Sequence, residues 1–191
     1  MIFASKIRSN SPGLCGVFRN FLGATLGILI AMPVSVTAQA PSEYQVKAAF
    51  LLNFTKFVEW PPSAFASSDA PIAICILGKD PFGRGLDDIV QGESVNGRMV
   101  VVRRLNQVPA PQACQVVFLA GSEKDAAGTL SDLGRDVLTV GEGDRFLRDG
   151  GMIALVIDSR RVRFDINQTA AENASLKLSS RLLSVARSVE K

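Results

Sequence analysis

The chain of 191 residues contains no histidine, three cysteines, one tryptophan and one tyrosine. Without histidine it cannot form a Ser-His or Cys-His nucleophilic site, and it lacks the most common metal ligand of proteins. Cys75 and Cys114 lie far apart and form neither a zinc-ligand pattern nor a Cys-x-x-Cys redox pair. The sequence therefore predicts a protein that is not an enzyme and that binds neither a metal nor another cofactor.

Two glycine-containing segments lack the residues of a nucleotide-binding loop. Gly78-Lys79 is followed by Asp80 where a phosphate-binding loop needs Ser or Thr. The segment 141–143, Gly-Glu-Gly, lacks the third glycine of a dinucleotide fingerprint. We interpret both segments as turns.

Residues 1–38 have the composition of a secretory signal peptide. Three basic residues and no acidic residue occupy 1–20, an apolar run follows at Phe21–Met32, and small residues precede a cleavage site after Ala38. The alternative, an uncleaved anchor, is disfavoured because the apolar run is short for a membrane span. We expect cleavage to leave residues 39–191 as one exported domain that does not span the membrane.

The predicted mature chain is close to neutral. Cleavage would remove three of the 21 basic residues and none of the 18 acidic ones. A neutral chain predicts no nucleic-acid-binding surface, because such surfaces are strongly basic. In an oxidising compartment, Cys75 and Cys114 predict one disulfide, and two free buried thiols are the alternative.

Short apolar runs alternate with turns and helical segments along residues 39–191. Strands are predicted at Ile72–Leu77, Arg98–Leu105, Val116–Ala120, Val137–Val140, Met152–Ile157 and Val162–Asn167. Helices are predicted near Leu86–Val90 and, capped by Ser122, across Glu123–Leu133. From Thr169 onward, apolar residues spaced four, three and four apart predict one closing helix. This order predicts a three-layer α/β fold with helices on both faces of a largely parallel sheet and an antiparallel C-terminal hairpin.

A strongly apolar helix is predicted at Val46–Val58, immediately before Trp60. A helix that is apolar on most sides is buried on most sides, either entirely within its own domain or partly against a second chain. We predict that Phe50 and Phe54 face the core and that Phe57 and Trp60 contribute to a protein interface. Trp60 as a cap on the core is the alternative.

Arg160, Arg161 and Arg163 cluster on the predicted hairpin. Guanidinium groups bind carboxylates in a bidentate manner, and we predict that Arg161 and Arg163 bind a partner. The alternative is that these arginines are solvated or pair with Asp158 and Asp165.

Several blocks of the sequence match one known pattern in the same order, namely Lys47–Leu51, Asn53-Phe54, Lys56–Pro61, Cys75 and Cys114, Val137–Gly141, Gly150–Ile153, Arg161–Asn167 and Leu176–Leu183. Together these blocks resemble the YfiR-like family of bacterial periplasmic proteins. The resemblance implies a homodimeric, non-enzymatic protein that inhibits an inner-membrane diguanylate cyclase by binding its periplasmic sensor region. Release of that inhibition would raise cyclic di-GMP and favour biofilm formation. The second cysteine pair of some members is missing from this chain.

Two other functions stay open on the sequence alone. Divergent members of the family would regulate other membrane receptors, such as sensor kinases. The other alternative is a protein that uses the loops following the parallel strands, where open α/β sheets bind ligands, either as a periplasmic small-ligand-binding protein or as a histidine-free enzyme.

Overall fold

A computed structural model describes residues 42–121 and 126–191. The predicted signal peptide and the predicted helix cap at Ser122 lie outside these residues. The helices are α1 (Glu43–Phe57), α2 (Arg84–Val90), α3 (Ala126–Asp132), α4 (Arg145–Arg148), α5 (Gln168–Asn173) and α6 (Ser180–Val185). The strands are β1 (Val58–Glu59), β2 (Ile72–Leu77), β3 (Ser94–Val95), β4 (Arg98–Leu105), β5 (Val116–Leu119), β6 (Leu138–Glu142), β7 (Ile153–Asp158), β8 (Arg161–Asn167), β9 (Lys177–Leu178) and β10 (Ser188–Glu190).

An eight-stranded sheet with the order β10-β8-β7-β6-β5-β2-β4-β3 forms the centre of the fold. Strands β4, β2, β5, β6 and β7 are parallel, whereas β8 runs antiparallel to β7. Every residue of β2 and β5 is buried, as expected for parallel strands covered on both faces. The predicted α/β fold with its antiparallel hairpin is therefore confirmed.

Two hydrophobic clusters fill the space between the sheet and its helices. The larger cluster joins residues of α1, α2, α5 and α6 to one face of the sheet, and the smaller one joins α4 and the partly buried side of α3 to the other face. The predicted disulfide between Cys75 and Cys114 lies in the smaller cluster, with the two residues 0% and 2% exposed. Helices on both faces follow from this division.

Helix α1 packs on one face of the sheet and runs from the carboxyl ends of the parallel strands toward their amino ends. It begins with a capping box, in which the side chains of Ser42 and Gln45 each accept a hydrogen bond from the backbone N–H of the other. Lys47, near its start, contacts Glu142 at the carboxyl end of β6. Trp60, just beyond its end, donates a hydrogen bond to the carbonyl of Gln115, immediately before β5. The start of α1 therefore lies near the carboxyl ends of the strands and its end lies near their amino ends. The two ends are about 20 Å apart at 1.5 Å per residue.

The prediction of one closing helix from Thr169 to the C-terminus is wrong. The segment forms α5, β9, α6 and β10, with a positive φ of 64° at Ser175 between α5 and β9. Leu178 pairs with Val58 of β1, and Val189 pairs with Ile166 of β8. The apolar residues whose spacing resembled one helix therefore belong to three separate elements, β9, α6 and β10, and the two strands among them pair with distant parts of the chain.

Candidate functional site

The hairpin β7–β8 extends beyond the strands on either side of it. Strand β6 pairs with β7 only as far as Leu155, and β10 pairs with β8 only from Asp165 onward. Strands β7 and β8 continue to pair with each other up to Asp158 and Arg161. Residues 156–163, here termed the hairpin arm, therefore form a two-stranded projection with no neighbouring strand among the described residues.

The tip of the hairpin arm has an unusual backbone. Ser159 and Arg160 have positive φ angles of 49° and 63°. Two-residue hairpin turns that require positive φ at both positions favour Asn and Gly. Ser and Arg adopt this conformation less readily than Asn or Gly, and backbone strain of this kind clusters at functional sites. The backbone strain at its tip makes the hairpin arm a candidate functional element.

The hairpin arm carries three arginines without ionic partners. Arg160, Arg161 and Arg163 are exposed, and none of them forms an ion pair among residues 42–121 and 126–191. The carboxylate of Asp158 accepts a hydrogen bond from Ser159, and Asp165 pairs with Arg187 instead. The two alternatives to partner binding were that the arginines are solvated or that they pair with Asp158 and Asp165. In the free chain the arginines are solvated and do not pair with these acids.

An apolar groove runs along one flank of the hairpin arm. Its volume is about 270 Å³, and its lining is Phe50, Arg161, Val162, Arg163, Phe164 and Val185. Val185 is 60% exposed, and Ile157, which lies opposite Val162 in the hairpin, is 52% exposed. Large apolar side chains this exposed next to a groove are typical of interaction surfaces.

Phe50 connects this groove to the core. Its ring stacks on Phe54 at 5.9 Å between centroids and meets the edge of Phe164 at 5.4 Å. Phe54 is fully buried, as predicted, whereas Phe50 is only partly buried and lines the groove. The floor of the groove is therefore continuous with the hydrophobic core and is held rigidly by it.

An ionic cluster fixes the base of the hairpin arm to the loop after β6. Arg187 donates hydrogen bonds to Asp165 at 2.8 Å and to Asp144 at 2.9 Å. Burial by itself raises the pKa of Asp165, but the hydrogen bonds from Arg187 and Ser188 outweigh burial, so the pKa of Asp165 is lowered. The carboxylate is therefore ionised at neutral pH and holds β10 against β8.

A second ionic cluster, which the sequence did not reveal, ties α1 to the carboxyl edge of the sheet. Lys47 is only 4% exposed and contacts the carboxylates of Glu43 and Glu142. Burial alone lowers the pKa of Lys47, but the hydrogen bonds to Glu142 and Glu43 reverse the effect and raise it. The ammonium also lies 4.6 Å from the centre of the Tyr44 ring. This cluster positions the first turns of α1, and through them Phe50.

The four predicted partner-binding residues do not form one surface. Arg161 and Arg163 line a groove with Phe50, in the middle of α1. Phe57 is the last residue of that helix, and Trp60 lies just beyond it. The indole of Trp60 donates to the carbonyl of Gln115 at 3.2 Å and is partly buried against the core. It also lines a separate groove of about 380 Å³. Trp60 therefore has both a core-capping contact and an accessible side.

Within the two described ranges, no three His, Cys, Asp or Glu side chains are grouped closely enough to hold a metal ion. No helix in this part of the chain has the length and hydrophobicity needed to cross a membrane.

Residues 44–187 match the family described as YfiR/HmsC-like, which covers most of the chain. The chain therefore belongs to the YfiR/HmsC-like family. At the level of the family, this membership supports a periplasmic regulatory role in cyclic di-GMP signalling. No curated protein matches the sequence.

Two solved structures are similar to this chain. A conserved domain protein from Vibrio cholerae O1 biovar El Tor N16961 has a TM-score of 0.51 at 12% identity, covering 78% of this chain and 60% of that one. The ABC domain in complex with L-Trp from Streptococcus pneumonia has a TM-score of 0.41 at 10% identity, covering 62% of this chain and 55% of that one. This chain thus spans less than two thirds of either protein. The likeness to the Vibrio protein concerns the fold alone, because the identity is only 12%.

Proposed function

We propose that this chain is exported through the signal peptide 1–38 and inhibits an inner-membrane diguanylate cyclase by binding its periplasmic region. The observation that carries the proposal is membership of the YfiR/HmsC-like family over residues 44–187. Family members act as regulators rather than as enzymes, and the absence of histidine agrees with that role. Inhibition of the cyclase lowers cyclic di-GMP and thereby limits biofilm formation.

The hairpin arm supports the proposal by providing an exposed docking surface. Its three unpaired arginines and its apolar groove combine the charge and the hydrophobic area that protein partners use. We propose that Arg161 and Arg163 bind the partner through this surface.

The proposal also includes a homodimer, with Phe57 and Trp60 as candidate contacts between the two copies. Phe57 ends α1, about 10 Å along the helix axis from Phe50 in the groove of the arm, and Trp60 lies further on, so contact there would leave the arm free. Sedimentation of the wild-type chain and of Trp60→Ala tests this part. A folded Trp60→Ala chain that sediments like the wild type would exclude Trp60 from the dimer contact.

A genetic experiment tests the regulatory proposal. Deleting the gene should raise cellular cyclic di-GMP, and restoring the wild-type chain should lower it again. The rise should disappear in cells that also lack the partner cyclase. Unchanged cyclic di-GMP after deletion, under conditions in which the chain and the cyclase are both produced, would contradict the proposal.

Small-ligand binding is a second candidate function, favoured by one observation. A cleft of about 380 Å³ opens at the carboxyl ends of β6 and β7, between Tyr44, Lys47, Glu142, Asp144 and Arg187. Carboxyl ends of parallel strands are the usual position of ligands in open α/β sheets. The charged groups of the cleft already pair with one another, which makes this function the weaker candidate.

A further inference from the structure

Building on the proposed function, we infer that the hairpin arm recognises an acidic segment of the partner protein, and that this segment places one apolar side chain in the groove. The inference concerns the chemistry of the partner, which family membership leaves open. It depends on three features of the arm, namely its uncompensated charge, the size of its groove and the position of its apolar side chains.

The charge of the hairpin arm selects acidic partners. Arg160, Arg161 and Arg163 place three positive charges within four positions, and no acidic side chain pairs with them in the described chain. Asp158, the acidic residue of the arm, accepts a hydrogen bond from Ser159. Unpaired guanidinium groups attract carboxylates and steer an acidic surface toward the arm, an effect that salt weakens.

The groove has the size of an anchor site. Its volume of about 270 Å³ lies below the range of about 300–1,000 Å³ that is usual for small-molecule pockets. Phe50, Val162, Phe164 and Val185 give it an apolar lining. Single apolar side chains that fill such pockets contribute a large share of the binding energy at protein interfaces.

The arrangement of apolar residues favours a protein segment over a lipid surface. The tip of the arm consists of Ser159 and Arg160 and presents no apolar side chain. The apolar side chains lie on the flank, between the arm, α1 and α6. Membrane insertion would require apolar groups at the most exposed point. Symmetric pairing with the arm of a second copy is also disfavoured, because both arms would be basic.

Fluorescence anisotropy with two labelled synthetic peptides tests the inference on the full chain purified from the periplasm. The peptides share a Leu-containing sequence and differ only in carrying Glu or Lys at the charged positions. The arm variant Arg161→Glu/Arg163→Glu is compared with the control Arg84→Glu/Arg148→Glu, which reverses two other exposed arginines that have no ion pair in the described chain. A third variant, Val185→Glu, places a charge in the groove.

The Glu peptide should bind at low salt and the Lys peptide should not. The arm variant and Val185→Glu should each weaken binding by about tenfold or more, while the control changes it by less than about twofold. Equal binding of both peptides, or equal loss in arm variant and control, would overturn the inference. So would arm-dependent binding to phosphatidylglycerol vesicles without binding of the Glu peptide. Because this assay uses purified chain, its failure is distinct from a failed deletion experiment, which would overturn the regulatory proposal.

Discussion

The disulfide between Cys75 and Cys114 should supply a large share of the stability of this domain. It joins residues separated by 39 positions. The chain-entropy model gives ~4 kcal/mol for a loop of this length. Alanine at both positions also leaves small cavities at fully buried sites. We therefore expect Cys75→Ala/Cys114→Ala to lower the free energy of unfolding by ~3–5 kcal/mol, against a total of about 5–15 kcal/mol for typical domains.

Urea denaturation at constant temperature measures this difference. The wild-type chain unfolded in the presence of reductant provides an internal control, because it should approach the stability of the double variant. Both sulfurs are buried, so a reductant should reach them only after unfolding. Alkylation of the native chain followed by peptide mapping should therefore leave Cys75 and Cys114 unlabelled, even after brief exposure to reductant.

Two results would refute this reasoning. One is a double variant whose free energy of unfolding lies within ~1 kcal/mol of the wild type, which would show that closing the loop contributes little. The other is alkylation of both cysteines in the native chain without reductant, which would show that the bond is not formed.

Three other changes have calculable effects. Phe54→Ala should lower the free energy of unfolding by ~3–5 kcal/mol because Phe54 is 1% exposed, and a loss below ~1 kcal/mol in urea would contradict its place in the core. Lys47→Met should cost ~1–3 kcal/mol because it leaves the carboxylate of Glu142 without its cation, and adding Glu142→Gln should recover part of that loss; purely additive losses would contradict the coupling. Burial raises the pKa of Asp165, but the hydrogen bonds from Arg187 outweigh burial and lower this pKa. The ionised carboxylate therefore stabilises the fold above about pH 4, and this contribution is lost as the pH falls further. Asp165→Asn should therefore reduce the acid dependence of stability, and an unchanged pH profile would argue against this ion pair.

The strands could be predicted from the sequence because their signals are local. Ile72–Leu77 and Arg98–Leu105 agree with the predicted bounds, since a short apolar run between turn residues is typical of a buried strand. The start of α1 at Glu43 lies three positions before the predicted start, because the capping box of Ser42 and Gln45 extends the helix beyond its apolar part.

The C-terminal segment could not be predicted in the same way. Apolar spacings of four, three and four favour one helix over Leu178, Leu182, Val185 and Val189. Only Leu182 and Val185 lie in a helix, α6, and of the two only Leu182 is buried. Strand β10 forms where Arg187 pairs with Asp165, a contact between residues 22 positions apart. Pairing with distant strands overrides local periodicity, and a sequence pattern carries no information on such partners.

The sequence identifies some residues of the hairpin arm but not the arm itself. Arg161 and Arg163 were identified from the cluster of arginines, but the projection of the hairpin arm depends on where β6 and β10 stop pairing, which is a property of the assembled sheet. The role of Phe50 in the groove was missed because an aromatic residue on an apolar helix favours the core. The Glu43 and Lys47 spacing of four was the one available signal for the cluster at the start of α1.

The most direct test of this account is the cellular level of cyclic di-GMP in a deletion strain that carries one of three versions of the chain. These are the wild type, the arm variant Arg161→Glu/Arg163→Glu, and the control Arg84→Glu/Arg148→Glu. At equal periplasmic abundance, the wild type and the control should restore a low level, whereas the arm variant should leave the level as high as in the deletion strain. An arm variant that restores the low level as fully as the wild type would contradict the assignment of the hairpin arm as the regulatory surface.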